Sequence, residues 1–226
     1  MNILCIETST TNCSVAIASE KGTFENLCAI ASCLDLLEDQ SDQYSHGKLL
    51  HVFIDQILQN NQLNPSDLDA VAISAGPGSY TGLRIGVATA KGLCYALNIP
   101  MIAVDTLTSL SLQNTAQNTY TLSFIDARRM EVYASVFKDR ICIMPPQAIV
   151  LTSDSFLEYL NEDKATIIGT GVEKFKALSS FKHHQFITSN PTALTMCTMA
   201  IDKMKKGDTV KDIAYFEPFY LKEFSV

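Results

Sequence analysis

The chain has 226 residues, is 47% hydrophobic and carries a formal net charge of −7. Those values exclude a disordered chain, and the length is enough to bury roughly 70% of the unfolded surface in one large domain or two small lobes. The acidic balance argues against a protein that grips RNA tightly by itself, because phosphate neutralisation supplies much of that affinity.

Taken in chain order, Asn2 to Ile6 predicts a strand and Ser14 to Ala18 its return strand, with Thr8 to Asn12 as a polar turn and Glu20-Lys21-Gly22 closing the hairpin. Phe24 to Ser32 predicts a third strand. Ser45 to Asn60 reads as a helix capped by Ser45, with Leu49, Leu50, Phe53, Ile54, Ile57 and Leu58 on a wide apolar arc. Ala70 to Ala75 is a nearly continuous apolar run, the pattern of a strand covered on both faces. A helix follows from about Thr81 to Leu97, stopped by Asn98 and Pro100, and Met101 to Val104 is a short buried strand. The order β-β-β-α-β-α-β suits a ribonuclease-H-like lobe with a mixed sheet.

The second half repeats the opening theme. Thr121 to Asp126 and Glu131 to Phe137 predict a hairpin around the turn Ala127–Met130, so that Ile125-Asp126 echoes Ile6-Glu7. Ala165 to Ile168 is another short strand, and Gly169-Thr170-Gly171 opens a short helix. Pro191 to Lys206 predicts a helix capped by Asn190; Lys203, Lys205 and Lys206 in its last turn complement the helix dipole rather than mark an RNA patch. Tyr215, Phe216, Phe219, Tyr220 and Phe224 predict a tail packed on the body.

Catalytic chemistry is hard to place. The turn Gly76–Gly86, GPGSYTGLRIG, sits between strand and helix, where backbone N–H groups of Gly76 and Gly78 either hold an anion or simply permit a tight turn. It is neither a Walker A loop nor a dinucleotide fingerprint. Glu7-Thr8-Ser9-Thr10-Thr11 resembles the first phosphate loop of the actin, hexokinase and Hsp70 fold, but Glu stands where that loop has Asp and Ser9 where it has Gly. Both changes favour an ordinary hairpin turn. Gly169 and Gly171 could approach an adenosine. His46 and His51 lie five apart, about 140° around a helix, and cannot converge on one ion; His183-His184 reads as a solvated loop, so no metal site is expected. Asp126-Ala127-Arg128-Arg129 reads as a ligand site or, preferably, a salt-bridged hairpin. Seven cysteines without a CxxC are neither a disulfide framework nor a zinc site and suit a reducing cytosol. Gly82, Gly86, Thr89 and Ala90 share one face of the second helix; each glycine costs about 1 kcal/mol of helix propensity, which a close backbone approach would offset.

Four stretches, ETSTTNCSVAI, SAGPGSYTGLRIGVATAKGL, IDARRMEVY and PFYLK, together resemble the TsaB (YeaZ) family of tRNA threonylcarbamoyladenosine biosynthesis. The resemblance implies an actin-like (ASKHA, ribonuclease-H-like) α/β fold of two lobes, with mixed sheets flanked by helices. The divisions are 1–104 for a first lobe carrying dimerisation helices, 105–190 for a smaller second lobe, and 191–226 for a helix and tail packing back. It implies a non-catalytic, cytoplasmic subunit, a homodimer in isolation, that supports a TsaD-type transferase together with a TsaE-type ATPase. ATP is used by the complex, with no cofactor of its own, no membrane contact, and tRNA reached only through the complex. Docking is expected through Leu50, Phe53, Ile54 and Ile57 of one helix and Tyr80, Gly82, Leu83, Gly86, Val87, Thr89 and Ala90 of the next. The competing readings are a small actin-fold kinase or ATPase, using Thr8 to Thr11, and a metallopeptidase.

Overall fold

The computed structural model describes residues 1–20, 32–41, 45–116, 120–161, 164–181 and 183–222. It falls into two compact units, one of residues 1–106 and 191–219, the other of 107–190 and 220–226.

In the first unit, β1 (Asn2–Glu7) pairs antiparallel with β2 (Cys13–Ser19), which pairs with β3 (Cys33–Asp39). Most of the predicted strand Phe24–Ser32 lies outside the described residues; the third strand is Cys33–Asp39, whose acidic ending masked its apolar start. β4 (Ala70–Gly76) lies parallel to β1, and β5 (Met101–Asp105) parallel to β4, giving the order β3-β2-β1-β4-β5. Between these strands run α1 (His46–Asn60) and α2 (Tyr80–Leu97), as the apolar periodicity predicts. Ser79 caps α2, its side chain accepting the Gly82 N–H, and Asn98 ends it in the left-handed conformation.

One sheet face packs on α1 and α2 through Leu4, Ile6, Val15, Leu50, Ile57 and Ile73. The other face is covered by α6 (Ala193–Lys205), which seats Met196, Cys197 and Ala200 over Ile3, Cys5 and Ala16. Helix α6 starts two residues after the predicted point, and Thr192, not Asn190, caps it by accepting the Leu194 N–H at 3.2 Å. The reason is tertiary. The Thr192 hydroxyl also donates to Glu38, which accepts from Ser14 at 2.9 Å, and Ser14 Oγ in turn accepts the Ala193 N–H at 2.9 Å. Thr192→Ala is therefore expected to lower unfolding stability by about 1 kcal/mol; an unchanged denaturant midpoint would count against this cap. Two lysines of the last turn are ion-paired, Lys203 with Asp208 at 2.5 Å and Lys205 with Glu20 at 2.9 Å.

The second unit repeats the first. After the short α3 (Thr106–Ser111), β6 (Tyr120–Asp126) and β7 (Glu131–Lys138) form the predicted hairpin. β8 (Ile141–Val150), disguised in sequence by Pro145-Pro146, extends it. β9 (Ala165–Gly169) pairs parallel with β6, and β10 (Gln185–Ile187) with β9. The order β8-β7-β6-β9-β10 is that of the first sheet with β6 in the place of β1. The core holds Phe124, Phe156 and Phe175 with ring centroids 4.9–5.7 Å apart, Phe156 preceding α4 (Leu157–Leu160) and Phe175 standing on α5 (Val172–Leu178). His184, read as solvated, is buried. Its Nδ1 accepts the Ala165 N–H at 3.2 Å and its Nε2–H faces the Leu160 carbonyl at 3.0 Å, so burial holds its pKa down. His183 is exposed.

Candidate functional site

The β1–β2 turn is the part of the first unit where an actin-like fold would hold phosphate, and here it is filled by the chain's own helix. Thr8, Ser9 and Thr10 are buried and only Thr11 is half-buried. The Ser9 carbonyl accepts the Ser79 N–H at 2.6 Å, and the Thr8 hydroxyl donates to the Gly82 carbonyl at 2.9 Å. Part of the N–H fan at the start of α2 is thus already used inside the chain, by Ser9 and by Ser79 Oγ. Glu7 is fully buried: one carboxylate oxygen accepts the Ser9 N–H at 2.6 Å, and the other finds no hydrogen-bond partner. Burial pushes the carboxyl above the usual carboxylate range, against the opposing pull of the hydrogen bonds from Ser9.

The glycines have the same explanation. A Cβ on Gly82 would run into the Thr8 carbonyl, and one on Gly86 into Thr8 Oγ1 and, at 2.9 Å, Ile73 Cδ1. The backbone approach that the glycine stripe implied is real, but the approaching backbone is the chain's own turn. A Cβ on Gly78 would run into Ser9, one on Gly76 would meet the Phe219 carbonyl at 2.5 Å, one on Gly169 the Phe124 carbonyl, and one on Gly171 Val132 Cγ1 at 2.6 Å. In all four cases the space a side chain would need is taken up by intrachain packing.

Burial divides the expected docking set. Leu50, Ile54, Ile57, Gly82, Leu83, Gly86, Val87 and Ala90 are buried in the unit's own core; Phe53, Tyr80 and Thr89 are half-buried. Periodicity located an apolar arc but could not separate the stripe that meets the sheet from its margin. On the outer face of α2, Thr81, Ala88, Gly92, Tyr95 and Ala96 are exposed, with Tyr95 90% exposed. The charged residue on this face is Arg84, stacked over the Tyr80 ring at 4.0 Å. A Cβ on Gly92 would have nothing within 4 Å among the described residues, so none of them offsets the helix propensity that this glycine gives up. The signal was readable: Ala88, Gly92 and Tyr95 recur at helical spacing. A cavity of about 610 Å³ lies at the C-terminal end of this face, lined by Lys91, Tyr95, Ile99 and Ile213 among others.

His46 is buried, its Nε2–H directed at the Thr10 carbonyl at 2.7 Å, while His51 on the same helix is exposed, so the two diverge. Among the described residues no group of three or more His, Cys, Asp or Glu side chains could hold a metal ion. In the second unit Asp126 is ion-paired, but with Lys174 at 2.6 Å rather than with its neighbouring arginines. No helix among the described residues is long and apolar enough to cross a membrane.

Comparison with known proteins agrees with this architecture. The family model described as TsaD, tRNA N6-adenosine threonylcarbamoyltransferase, matches residues 41–216. The tRNA threonylcarbamoyladenosine biosynthesis protein TsaB of Haemophilus influenzae is 29% identical over 98% of this chain and 94% of its own. TsaB of Escherichia coli is 28% identical over 98% and 95%. In structure, YeaZ from Pseudomonas aeruginosa superimposes with a TM-score of 0.75 over 97% of this chain and 99% of its own at 23% identity, which establishes the shared fold. With two mixed sheets of one topology, an actin-like fold, and this match across most of its length, the chain belongs to the TsaD-type family, within its TsaB (YeaZ) branch of tRNA threonylcarbamoyladenosine biosynthesis proteins.

Proposed function

We propose that the chain is a non-catalytic partner subunit that supports a TsaD-type transferase in forming threonylcarbamoyladenosine on tRNA. The observation that carries this reading is the closed β1–β2 turn: Thr8 and Ser9 are fully buried, and the Ser9 carbonyl is already bonded to the N-terminus of α2. A γ-phosphate has no backbone to approach there. The alternative of a small ATPase or kinase using Thr8 to Thr11 loses its phosphate site for the same reason. In this reading ATP belongs to the complex, a TsaE-type ATPase works alongside, the isolated chain pairs with itself, and tRNA is handled by the assembly.

Docking is assigned to the outer face of α2, through Ala88, Gly92 and Tyr95 with the half-buried Phe53, Tyr80 and Thr89 at its margin. The two cations along this surface, Arg84 on the Tyr80 ring and Lys91 on the Ala214 carbonyl, are both engaged within the chain, and an uncompensated glycine in its middle suits close approach of another helix. The test is co-expression with a TsaD-type subunit. Gly92→Trp with Tyr95→Glu is expected to keep the secondary structure without lowering the melting temperature and to weaken pairing at least about tenfold, the loss of 1.4 kcal/mol or more at a tightly packed contact. An undiminished complex on gel filtration would sink the assignment. Steady ATP turnover by the pure chain, lost in Thr10→Ala, would instead favour the ATPase reading.

A further inference from the structure

The β6–β7 hairpin ends in four residues, Ala127-Arg128-Arg129-Met130, whose central pair shares two successive positive φ values with Asp139-Arg140 of the β7–β8 tip. Arg128 and Arg129 both adopt positive φ, 66° and 47°. Side chains rarely adopt this region, and where a hairpin needs it twice in succession glycine or asparagine is the usual choice. The conformation is held in place from both sides. Asp126 Oδ1 accepts the Arg128 N–H at 2.6 Å, the Ala127 N–H donates to the Glu131 carbonyl at 3.1 Å, and the Glu131 N–H donates to the Arg128 carbonyl at 3.2 Å. The Asp126 N–H donates to Thr170 Oγ1 at 2.9 Å.

The charges are arranged as deliberately as the backbone. The two acids of the hairpin are each matched by a lysine from elsewhere in the same unit: Asp126 by Lys174 at 2.6 Å, and Glu131 by Lys222. Lys174 Nζ also reaches the Glu131 carbonyl at 3.4 Å. With both carboxylates neutralised, the exposed guanidinium groups of Arg128 and Arg129 make no ion pair among the described residues. The result is a local excess of two positive charges on a chain whose net charge is −7.

We infer that the Arg128–Arg129 tip is a contact for the phosphodiester backbone of RNA. Planar, always-charged guanidinium groups bind phosphate oxygens in pairs, and two on consecutive residues of a braced turn can span adjacent phosphates. The choice of RNA over a free nucleotide rests on the proposed role in tRNA modification. The acidic remainder of the chain keeps this contact weak in isolation, so it adds to an RNA grip supplied by the assembly.

The test uses the purified full chain and nuclear magnetic resonance titration, which registers weak binding. The probes are a short RNA stem-loop and, separately, a nucleoside triphosphate. Addition of the RNA is expected to shift the resonances of residues 126–131 and Lys174 saturably. In Arg128→Ala/Arg129→Ala the affinity is expected to fall at least about fivefold and the slope of log affinity against log salt to lose about 1 for each arginine removed; Arg128→Lys/Arg129→Lys keeps most of that slope. Arg128→Gly/Arg129→Gly separates a binding role from a folding one, because it relieves the backbone: it is expected to raise the melting temperature while weakening RNA binding as the alanine pair does. The inference is overturned if the RNA leaves the hairpin resonances unmoved, if the alanine pair binds as tightly as the parent chain, or if only the nucleoside triphosphate shifts the tip. Because the chain is titrated alone, this result is independent of whether a TsaD-type subunit pairs with α2.

Discussion

Gly82→Ala is expected to be among the most destabilising single substitutions in the first unit, at about 3 kcal/mol or more, although alanine is the better helix former. The new methyl would meet the Thr8 carbonyl, which is backbone and cannot rotate away. Relief requires either a shift of the β1–β2 turn, with loss of the Thr8-to-Gly82 and Ser79-to-Ser9 hydrogen bonds, or withdrawal of α2 from the sheet. Gly86→Ala should follow the same direction, since its methyl meets Thr8 Oγ1 and Ile73. Gly92→Ala, ten residues along the same helix, is expected to do the reverse and raise stability by about 1 kcal/mol, because its methyl meets nothing. Denaturant unfolding of the three variants measures all of this together. Equal effects at positions 82 and 92 would show that the turn is not packed on α2 as described. The pair also governs how docking is tested: a bulky residue at Gly86 would disturb the fold before it disturbed a partner.

Glu7→Gln is expected to stabilise the chain progressively more as pH rises. The carboxyl is fully buried, with one oxygen lacking any hydrogen-bond partner, and burial raises its pKa above the ordinary value of 4.5. The folded state therefore holds this proton more tightly than the unfolded state does. Its contribution is fully present below the unfolded value and is lost as pH rises through the folded one. Ionisation leaves one buried oxygen of Glu7 charged and without a hydrogen-bond partner, a cost on the order of 1–3 kcal/mol. A glutamine keeps an oxygen for the Ser9 N–H and carries no charge. Comparing melting temperatures of the two proteins from pH 4 to pH 8 checks the sign. A constant difference across that range would mean that Glu7 is not held above the usual carboxylate range.

The second of these expectations had a visible cue in sequence, Glu standing where an actin-like phosphate loop has Asp; the first had only a stripe of glycines with two possible meanings. That contrast holds through the molecule. Local periodicity and end signals placed β1, β2, α1, β4, α2, β5 and the β6–β7 hairpin, because each buries one stripe or both faces and ends at a polar or glycine-proline break. The echo of Ile6-Glu7 in Ile125-Asp126 correctly foretold a repeated topology. β8 stayed hidden because two prolines interrupt it, which an edge strand tolerates, and the start of α6 was misplaced because Thr192 is chosen as cap by Glu38 and Ser14, distant in sequence.

By itself, then, the amino-acid order determined the fold class, the family and the departure of Glu7 and Ser9 from the phosphate-loop pattern, since these rest on residue identity and short-range pattern. Only the tertiary structure decided what the glycines of α2 make room for, which edge of its apolar arc remains open to solvent, and where the lysines that match Asp126 and Glu131 come from. Each of those depends on which segment lies within a few ångströms of another that is tens of residues away, a distance that periodicity along one helix or strand does not encode.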